Sequence, residues 1–226
     1  MHRTSRNLQL AVLLVAGMLL ATAAFAQEAL LGGDGGSKIS SVERDAQIAK
    51  LETLLASNPN NYRDWFQLGS LYQDAGKDTK AVEAYEQAIQ LNPKYTEALV
   101  NLGGVYNDTG DYDKAKAYLE EALALNPEDC RARSNLGNVY YSMGRYPDAM
   151  FEYERAVETD PKCYSSLYNI GVAFADAGLF REAVNYWKKV VAIAPGTEAA
   201  RSARENIEIL RRFTEAPIPP ANHENE

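Results

Sequence analysis

The sequence of 226 residues contains 31 acidic and 23 basic residues, so its net charge at neutral pH is −8. This acidic balance argues against binding to nucleic acid or adsorption on anionic lipid, because both need a basic face. The two histidines, His2 and His223, lie outside the central region of regular pattern, so that region holds no histidine to serve as a general base. Composition therefore argues against several catalytic and nucleic-acid-binding classes.

Residues 1–26 have the pattern of a secretory signal peptide. Two arginines among the first six residues precede an apolar run over 8–26, and Ala24-Phe25-Ala26 has the small-x-small form of a cleavage site. Cleavage before Gln27 would leave 21 basic against 31 acidic residues, a net charge of −10, on a periplasmic or secreted chain. The alternative is an uncleaved inner-membrane anchor, because about 19 apolar residues can just span a bilayer.

The segments on either side of the central region have their own expected roles. Four glycines make 27–39 a flexible linker. Residues 40–61 are predicted to form an N-terminal capping helix with apolar residues at Ile48, Leu51, Leu54 and Leu55. Near the other end, 198–213 is predicted to form a C-terminal capping helix with one apolar and one charged face, and 214–226 has too little apolar material to fold.

The central region repeats with a period of 34 residues. Prolines recur at this interval, and so do two sets of glycines. The prolines are Pro59, Pro93, Pro127, Pro161 and Pro195, and the glycines are Gly69, Gly103, Gly137, Gly171 and Gly76, Gly110, Gly144, Gly178. Because proline ends helices, an even spacing of prolines indicates one structural unit copied end to end.

Each unit is predicted to be a pair of antiparallel helices. In the first unit, one set of residues at helical spacing precedes Gly76 and a second set follows it. The first set is Trp65, Leu68, Gly69 and Tyr72, and the second is Ala81, Tyr85 and Ala88. Gly76 supplies the left-handed residue that closes the first helix, and we expect Gly69 and Ala81 to let the two helices approach closely. In the third unit Arg133 breaks the apolar pattern at the position of Trp65, and Pro147 fits the first turn of a second helix.

These residues resemble the tetratricopeptide repeat family, whose motif W-x-x-L-G-x-x-Y is followed by Ala, an aromatic residue, Ala and Pro. Four copies occupy 62–95, 96–129, 130–163 and 164–197. The resemblance implies an all-α, right-handed superhelical solenoid of four full repeats with flanking capping helices. It also implies that the first helices line a concave groove that binds other proteins.

The resemblance further implies which side chains point into the groove, namely those at positions 2, 5, 6, 9 and 12 of each repeat. The candidate peptide-binding residues are Arg63, Phe66, Gln67, Asn101, Asn107, Arg131, Asn135, Asn138, Tyr141, Tyr168 and Asn169. Gln67, Asn101, Asn135 and Asn169 share position 6, and we call them the amide ladder. Side-chain amides both donate and accept, so the ladder could hold a peptide backbone or could bond neighbouring helices. Phe66, Tyr141 and Tyr168 could anchor a partner or pack against the next helix.

Cys130 and Cys163 are the two cysteines of the sequence and lie in connections between units. An oxidising compartment permits a disulfide. However, adjacent units stack about 10 Å apart, whereas a disulfide needs Cα atoms within about 7 Å. The spacing favours two unpaired thiols over a bond, and the absence of nearby histidine argues against a metal site.

The sequence thus predicts a non-catalytic scaffold that uses no cofactor, metal or small-molecule substrate. Its partners would be other proteins, components of the cell envelope or of secretion and assembly systems, with contact to membrane only if the signal peptide stays uncleaved. A structural role, as a membrane-tethered or self-associating spacer, is the main alternative. A carrier of lipid or cell-wall material would need a closed apolar cavity, which tight packing of small residues disfavours.

Overall fold

The computed structural model describes residues 40–214, and the predicted signal peptide, the linker and nearly all of the tail lie outside this range. Residues 40–214 form ten helices and no strand, which confirms the expected all-α solenoid of helix pairs. The helices are α1 Ser41–Ser57, α2 Tyr62–Asp74, α3 Asp78–Leu91, α4 Thr96–Asp108, α5 Tyr112–Leu125, α6 Cys130–Ser142, α7 Tyr146–Thr159, α8 Tyr164–Asp176, α9 Phe180–Ile193 and α10 Glu198–Thr214.

Helices pair in chain order, and the pairs stack. Each first helix (α2, α4, α6, α8) packs against its own second helix (α3, α5, α7, α9) and against the first helix of the next unit. Within residues 40–214, no comparable packing joins consecutive second helices. The first helices therefore form the inner layer of the stack, and the second helices form its outer layer.

A left-handed glycine joins the two helices of every unit. Gly76, Gly110, Gly144 and Gly178 have φ between 66° and 83°, a conformation that glycine adopts without steric cost. In the first unit the Gly76 N–H donates to the Gln73 carbonyl and the Lys77 N–H donates to the Tyr72 carbonyl. This bonding closes α2 as predicted, and the same pattern closes each later first helix.

The connections between units are fixed by side chains as well as by proline. The Oδ1 atoms of Asn92, Asn126 and Asp160, each directly before a proline, accept the N–H two residues ahead. The indole of Trp65 donates to the Pro59 carbonyl at 2.7 Å. Arg133 does the same at its own unit, donating to the Pro127 carbonyl at 2.8 Å. Arg133 thus breaks the apolar pattern but keeps the hydrogen bond to the connection.

Close packing within a unit depends on a glycine and a large side chain. A Cβ atom built on Gly69 would lie 2.7 Å from the Tyr85 ring, and one on Gly137 would lie 2.4 Å from the Tyr153 ring. We expected Gly69 to lie against Ala81, but the side chain that covers the glycine is Tyr85, four residues after Ala81. A Cβ atom on Gly103 would lie 2.6 Å from Leu119 Cγ.

The terminal helices cover the ends of the stack. Ile48, Leu51 and Leu55 of α1 are buried against the first unit, whereas Leu54 is exposed, contrary to the expected apolar face. The Ser40 hydroxyl accepts the Glu43 N–H and so caps α1. In α10 one face buries apolar residues and the opposite face presents charged residues. The buried residues are Ala199, Ala200, Ala203 and Leu210, and the exposed ones are Arg201, Arg204, Glu205, Glu208 and Arg211.

Cys130 and Cys163 form a disulfide, so the expectation of two unpaired thiols is wrong. Their Cα atoms lie 6.0 Å apart. The argument from spacing used the distance between helix axes, but Cys130 opens α6 and Cys163 immediately precedes α8. At this edge the chain enters each first helix beside the start of the previous one. The corresponding pair in the first unit, Tyr62 and Tyr95, makes an edge-to-face ring contact with centroids 5.0 Å apart.

Candidate functional site

The inner layer formed by α2, α4, α6 and α8 is the candidate site. Its predicted binding residues differ in solvent exposure. Arg63, Gln67 and Arg131 are exposed. The half-buried ones are Phe66, Asn101, Asn135, Asn138 and Tyr141, and the buried ones are Asn107, Tyr168 and Asn169. A surface that binds a partner in this conformation must therefore use the first two groups, with the buried residues in support.

At the junction of units 1 and 2, the amide ladder is part of a hydrogen-bond chain. The Tyr85 hydroxyl, from the outer helix α3, donates to Gln73 Oε1 at 2.8 Å. The same hydroxyl accepts from Asn101 Nδ2 at 3.2 Å. Burial raises the pKa of Tyr85, so the hydroxyl keeps its proton and remains a donor. Asn101 therefore ties α4 to the preceding unit.

The junction of units 3 and 4 uses the same principle with different atoms. The Tyr153 hydroxyl of α7 donates to Asn138 Oδ1 at 2.8 Å, and Asn169 Nδ2 donates to the same oxygen at 2.6 Å. Asn169 also lies 3.4 Å from the Ser134 hydroxyl. Here the ladder residue joins two consecutive first helices directly, whereas Asn101 bonds the outer helix of the preceding unit. Bonding between neighbouring helices is the structural alternative that the sequence left open.

The middle junction, between units 2 and 3, lacks this chain. Leu119 stands at the position of Tyr85 and Tyr153, so no hydroxyl enters between α4 and α6. Asn107 is 7 % exposed, and its Oδ1 atom is buried without a hydrogen-bond donor. Asn135 is half-buried and makes no side-chain hydrogen bond to the residues described in the structure. An unsatisfied buried acceptor costs about 1–3 kcal/mol, so this junction favours an added donor.

The sequence indicates why the junction of units 2 and 3 lacks the hydrogen-bond chain, but the four ladder residues alone do not show it. Asn101, Asn135 and Asn169 look equivalent at position 6. Their surroundings are set by position 24 of the preceding unit, where Tyr85, Leu119 and Tyr153 stand. Comparing the two positions together distinguishes Asn135 from its neighbours.

The predicted aromatic anchors have unequal access. Phe66 is half-buried and packs against Tyr85 and Tyr95, with ring centroids 5.7 and 5.0 Å away. The Tyr141 hydroxyl bonds the Asp176 carboxylate, and its ring contacts Tyr146. Tyr168 is 1 % exposed beneath α10, so in this conformation it presents no surface to a partner.

Charge in the groove is sparse. The Arg63 guanidinium lies 5.3 Å from the centre of the Tyr62 ring, and Arg131 is exposed at the start of α6. Burial and, to a lesser extent, the Glu97 carboxylate raise the pKa of Tyr95. Within residues 40–214, no group of three or more His, Cys, Asp and Glu side chains converges as a metal site would require. In the same range, no helix combines the length and apolar composition needed to cross a bilayer.

Comparison with known families agrees with this geometry. The model for the cytochrome c-type biogenesis protein H TPR domain matches residues 27–162, and a tetratricopeptide repeat model matches 135–198. No curated protein matches the chain significantly.

Solved structures with the same architecture include MamA and a bacterial repeat protein. One MamA crystal structure is 30 % identical, covers 71 % of this chain and 91 % of its own, and has a TM-score of 0.56. A second is 27 % identical, covers 85 % and 98 %, and has a TM-score of 0.55. A thermophilic TPR protein of Thermus thermophilus, 19 % identical, covers 74 % and 91 % with a TM-score of 0.64 and shows the fold alone.

Proteins of this fold are generally non-catalytic scaffolds for contacts with other proteins. The repeated motif, the stacked helix pairs and the matched models together establish that the chain belongs to the tetratricopeptide repeat family.

Proposed function

We propose that the protein is a scaffold that binds an extended segment or a helix of a cell-envelope protein in its concave groove, without catalysing a reaction. The observation that carries this proposal is the half-buried amide of Asn135 at the middle of the groove. Asn135 offers a donor and an acceptor that no described residue uses, whereas the unsatisfied Oδ1 atom of Asn107 is buried and out of reach of a partner in this conformation. A peptide main chain supplies both kinds of group at every residue.

The groove around Asn135 supplies further contacts. Phe66 of unit 1 and Tyr141 of unit 3 have half-buried rings, and Arg63, Gln67 and Arg131 are exposed. Aromatic rings in a concave surface are effective anchors for a partner. Because Asn101 and Asn169 already bond within the stack, we assign the main grip to Asn135 rather than to the whole amide ladder.

Location in the cell envelope is part of the proposal and rests on the sequence of residues 1–26. Protein isolated from the envelope fraction is expected to begin at Gln27, which N-terminal sequencing would show. Recovery of the chain from Met1 in the membrane would instead support an anchored protein. The disulfide agrees with an oxidising compartment.

The partner can be sought by affinity capture from an envelope extract, followed by mass spectrometry. The name of the matched family model makes components of cytochrome c assembly the first candidates to examine. Calorimetric titration of the captured partner should then show that Asn135→Ala weakens binding about 2- to 12-fold, the equivalent of one hydrogen bond of 0.5–1.5 kcal/mol. Circular dichroism should show an unchanged fold.

A matched control separates groove binding from other effects. Gln87→Ala changes an exposed residue of the outer helix α3 and should leave the affinity unchanged. Glu86, although also exposed, is unsuitable, because its carboxylate accepts the Tyr106 hydroxyl at 3.0 Å. If Asn135→Ala binds as tightly as the parent while an outer-layer variant does not, the groove is not the binding surface.

A second candidate is a self-associating or membrane-tethered spacer, and one observation favours it. Phe151 projects from the outer helix α7, and 54 % of its surface is exposed. Packing within the solenoid does not require such an exposed aromatic side chain at that position. If the protein works in this way, light scattering should show oligomers that Phe151→Ser dissociates. A monomer at all concentrations would exclude self-association through this residue.

A further inference from the structure

One edge of the solenoid is polar at its N-terminal end and exposes large apolar side chains toward its C-terminal end. The turns between the two helices of each unit lie on this edge and share a left-handed glycine. In the first unit the residues around that glycine are Ala75, Lys77 and Asp78, whereas the third and fourth units expose large apolar side chains there. Met143 is 38 % exposed, Tyr146 is 56 % exposed and Leu179 is 46 % exposed. We call these three residues the turn strip.

The fold itself does not require the turn strip. Lys77, Asp111 and Arg145 occupy the position of Leu179 in the other units. The position of Tyr146 is Asp78 in unit 1, although Tyr112 and Phe180 keep it aromatic in units 2 and 4. Their turns have the same left-handed glycine and the same closing hydrogen bonds. The Tyr146 ring contacts Tyr141, yet more than half of Tyr146 and nearly half of Leu179 remain exposed. Neighbouring exposed apolar side chains of this size indicate a surface that something covers.

The described chain ends beside this strip. The helix α10 occupies the place of a fifth first helix and, like α8, runs toward the turn edge. In the 34-residue register Leu210 corresponds to Asp176, the last residue of α8, and both Leu210 and Phe180 belong to the same apolar cluster. The helix then continues to Thr214, where the other units make their turn. The described chain therefore ends at the edge that carries Leu179.

Distance and chemistry both match the segment that follows. Units repeat about every 10 Å, which places Leu179 about 10 Å and Tyr146 about 20 Å from the end of α10. An extended proline-rich chain advances about 3.1 Å per residue, so Pro217 to Pro220 cover this interval. The sequence Ala216-Pro217-Ile218-Pro219-Pro220 has the composition that docks on aromatic and aliphatic surfaces with little loss of entropy.

We propose that residues 215–221 dock in extended form on the turn strip of their own chain. Ile218 then lies against Leu179, and Pro219 and Pro220 lie against Tyr146. The turn strip is therefore a binding surface for a proline-rich segment, occupied by the same molecule, and it meets the concave groove where Tyr146 contacts Tyr141.

Nuclear magnetic resonance on the full chain tests this directly. In protein with 13C-labelled methyl groups, nuclear Overhauser contacts are expected from the Ile218 methyl to Leu179 methyl and Tyr146 ring protons. Random-coil shifts for Ile218 without such contacts would overturn the proposal. Contacts that appear only between differently labelled molecules in a mixed sample would also overturn it, and would assign the strip to a second copy.

Variants on both sides of the contact keep the test independent of folding. Leu179→Lys should abolish the contacts of Ile218, while Leu125→Lys, which changes a leucine of 41 % exposure at the opposite edge, should leave them intact. Ile218→Asp changes a residue that follows α10 in the sequence, and it should shift the Leu179 and Tyr146 signals without altering the circular dichroism spectrum. Loss of the contacts in the Leu125 variant, or unchanged strip signals in the Ile218 variant, would contradict docking.

Discussion

Position 24 of each unit is the residue that links packing to the groove. Its side chain covers the glycine of the first helix, and in units 1, 3 and 4 it also brings a polar atom inward. The Tyr85 and Tyr153 hydroxyls reach Gln73 and Asn138, and the Trp187 indole N–H donates to the Tyr168 carbonyl at 3.1 Å. Leu119 covers Gly103 without supplying any polar atom. Leu119 thus leaves Asn107 and Asn135 without the hydroxyl that their counterparts Gln73 and Asn101 bond in unit 1.

Leu119→Tyr should restore the missing hydroxyl. Unit 2 has the same glycine beneath this position as units 1 and 3, where tyrosine is accommodated. The new hydroxyl should donate to Asn107 and raise the free energy of unfolding by about 0.5–1.5 kcal/mol relative to Leu119→Phe, which supplies the ring alone. Urea denaturation of the two variants measures the difference. Equal stability would mean that the hydroxyl finds no partner there.

Gly103→Ala should destabilise the second unit. The added Cβ atom would lie 2.6 Å from Leu119 Cγ and 3.2 Å from the Ala115 carbonyl oxygen, and such overpacking costs about 1–3 kcal/mol. Thermal unfolding should shift downward by several degrees. Combining the change with Leu119→Ala relieves the closest contact, so the double variant should lose less stability than the two single losses added together. Simple additivity would show that the two residues do not touch.

At the scale of single helices, α10 is both a cap and an unfinished repeat. Its Asn206 Nδ2 donates to the Tyr168 hydroxyl at 3.2 Å, and α10 thereby covers the side chain of Tyr168. Arg204 donates to the Pro195 carbonyl at 2.7 Å, a bond comparable to those of Trp65 and Arg133 in earlier units. The buried face of α10 thus repeats features of a unit, while its charged outer face ends the stack.

The α10 contact should weaken at high pH. Burial raises the pKa of Tyr168 to about 12, partly offset by its bonds to Asn206 and Ser202. The neutral phenol is favoured in the folded state, so this stabilisation is complete below pH 10 and is lost as the pH rises toward 12. The stability advantage of the parent over Tyr168→Phe should therefore fall by about 1.4 kcal/mol per pH unit above pH 10.

Urea denaturation of the parent and of Tyr168→Phe at pH 8, 10 and 11 checks this, since the other tyrosines are common to both proteins. An advantage of the parent that stays constant up to pH 11 would place the Tyr168 hydroxyl in solvent rather than beneath α10.

The sequence predicts those features that depend on residues of one repeat, but not those that depend on contacts between repeats. The helix-closing glycines and Pro147 at the start of α7 follow from local backbone preference. The disulfide and the outward position of Leu54 depend on how helix ends and neighbouring helices meet, which the period alone does not specify. The different states of Asn101 and Asn135 likewise depend on a residue of the preceding unit.

For the whole molecule, the fully buried apolar core is smallest between the third and fourth units, where only the partly buried Tyr140, Val157, Phe174 and Tyr186 connect the clusters. One apolar cluster extends from α1 to α6, a second from α8 to α10, and a small third cluster of Ala149, Tyr153 and Ile170 lies between them. In a solenoid, stability is close to a sum of contributions from neighbouring units, so a thin interface limits cooperativity. The Cys130–Cys163 disulfide joins α6 to the start of α8 and therefore spans this thin region.

Breaking the disulfide should divide the unfolding transition. A bond that closes a loop of this length stabilises by about 2–4 kcal/mol. Without it, the C-terminal cluster should unfold at lower urea concentration than the N-terminal one. The two tryptophans report on the two parts, because Trp65 packs against the first cluster and Trp187 lies within the second. In Trp65→Phe, fluorescence follows Trp187 alone, while circular dichroism follows all helices.

The expected result is that fluorescence and circular dichroism transitions of Trp65→Phe coincide in the oxidised protein and separate after reduction, fluorescence changing first. Adding Cys130→Ser and Cys163→Ser should reproduce the reduced behaviour without reductant. A thiol assay of the unfolded, unreduced parent should detect no free cysteine. Coincident transitions in both redox states would show that packing between α7 and α8 alone couples the two halves, and that the disulfide adds stability without adding cooperativity.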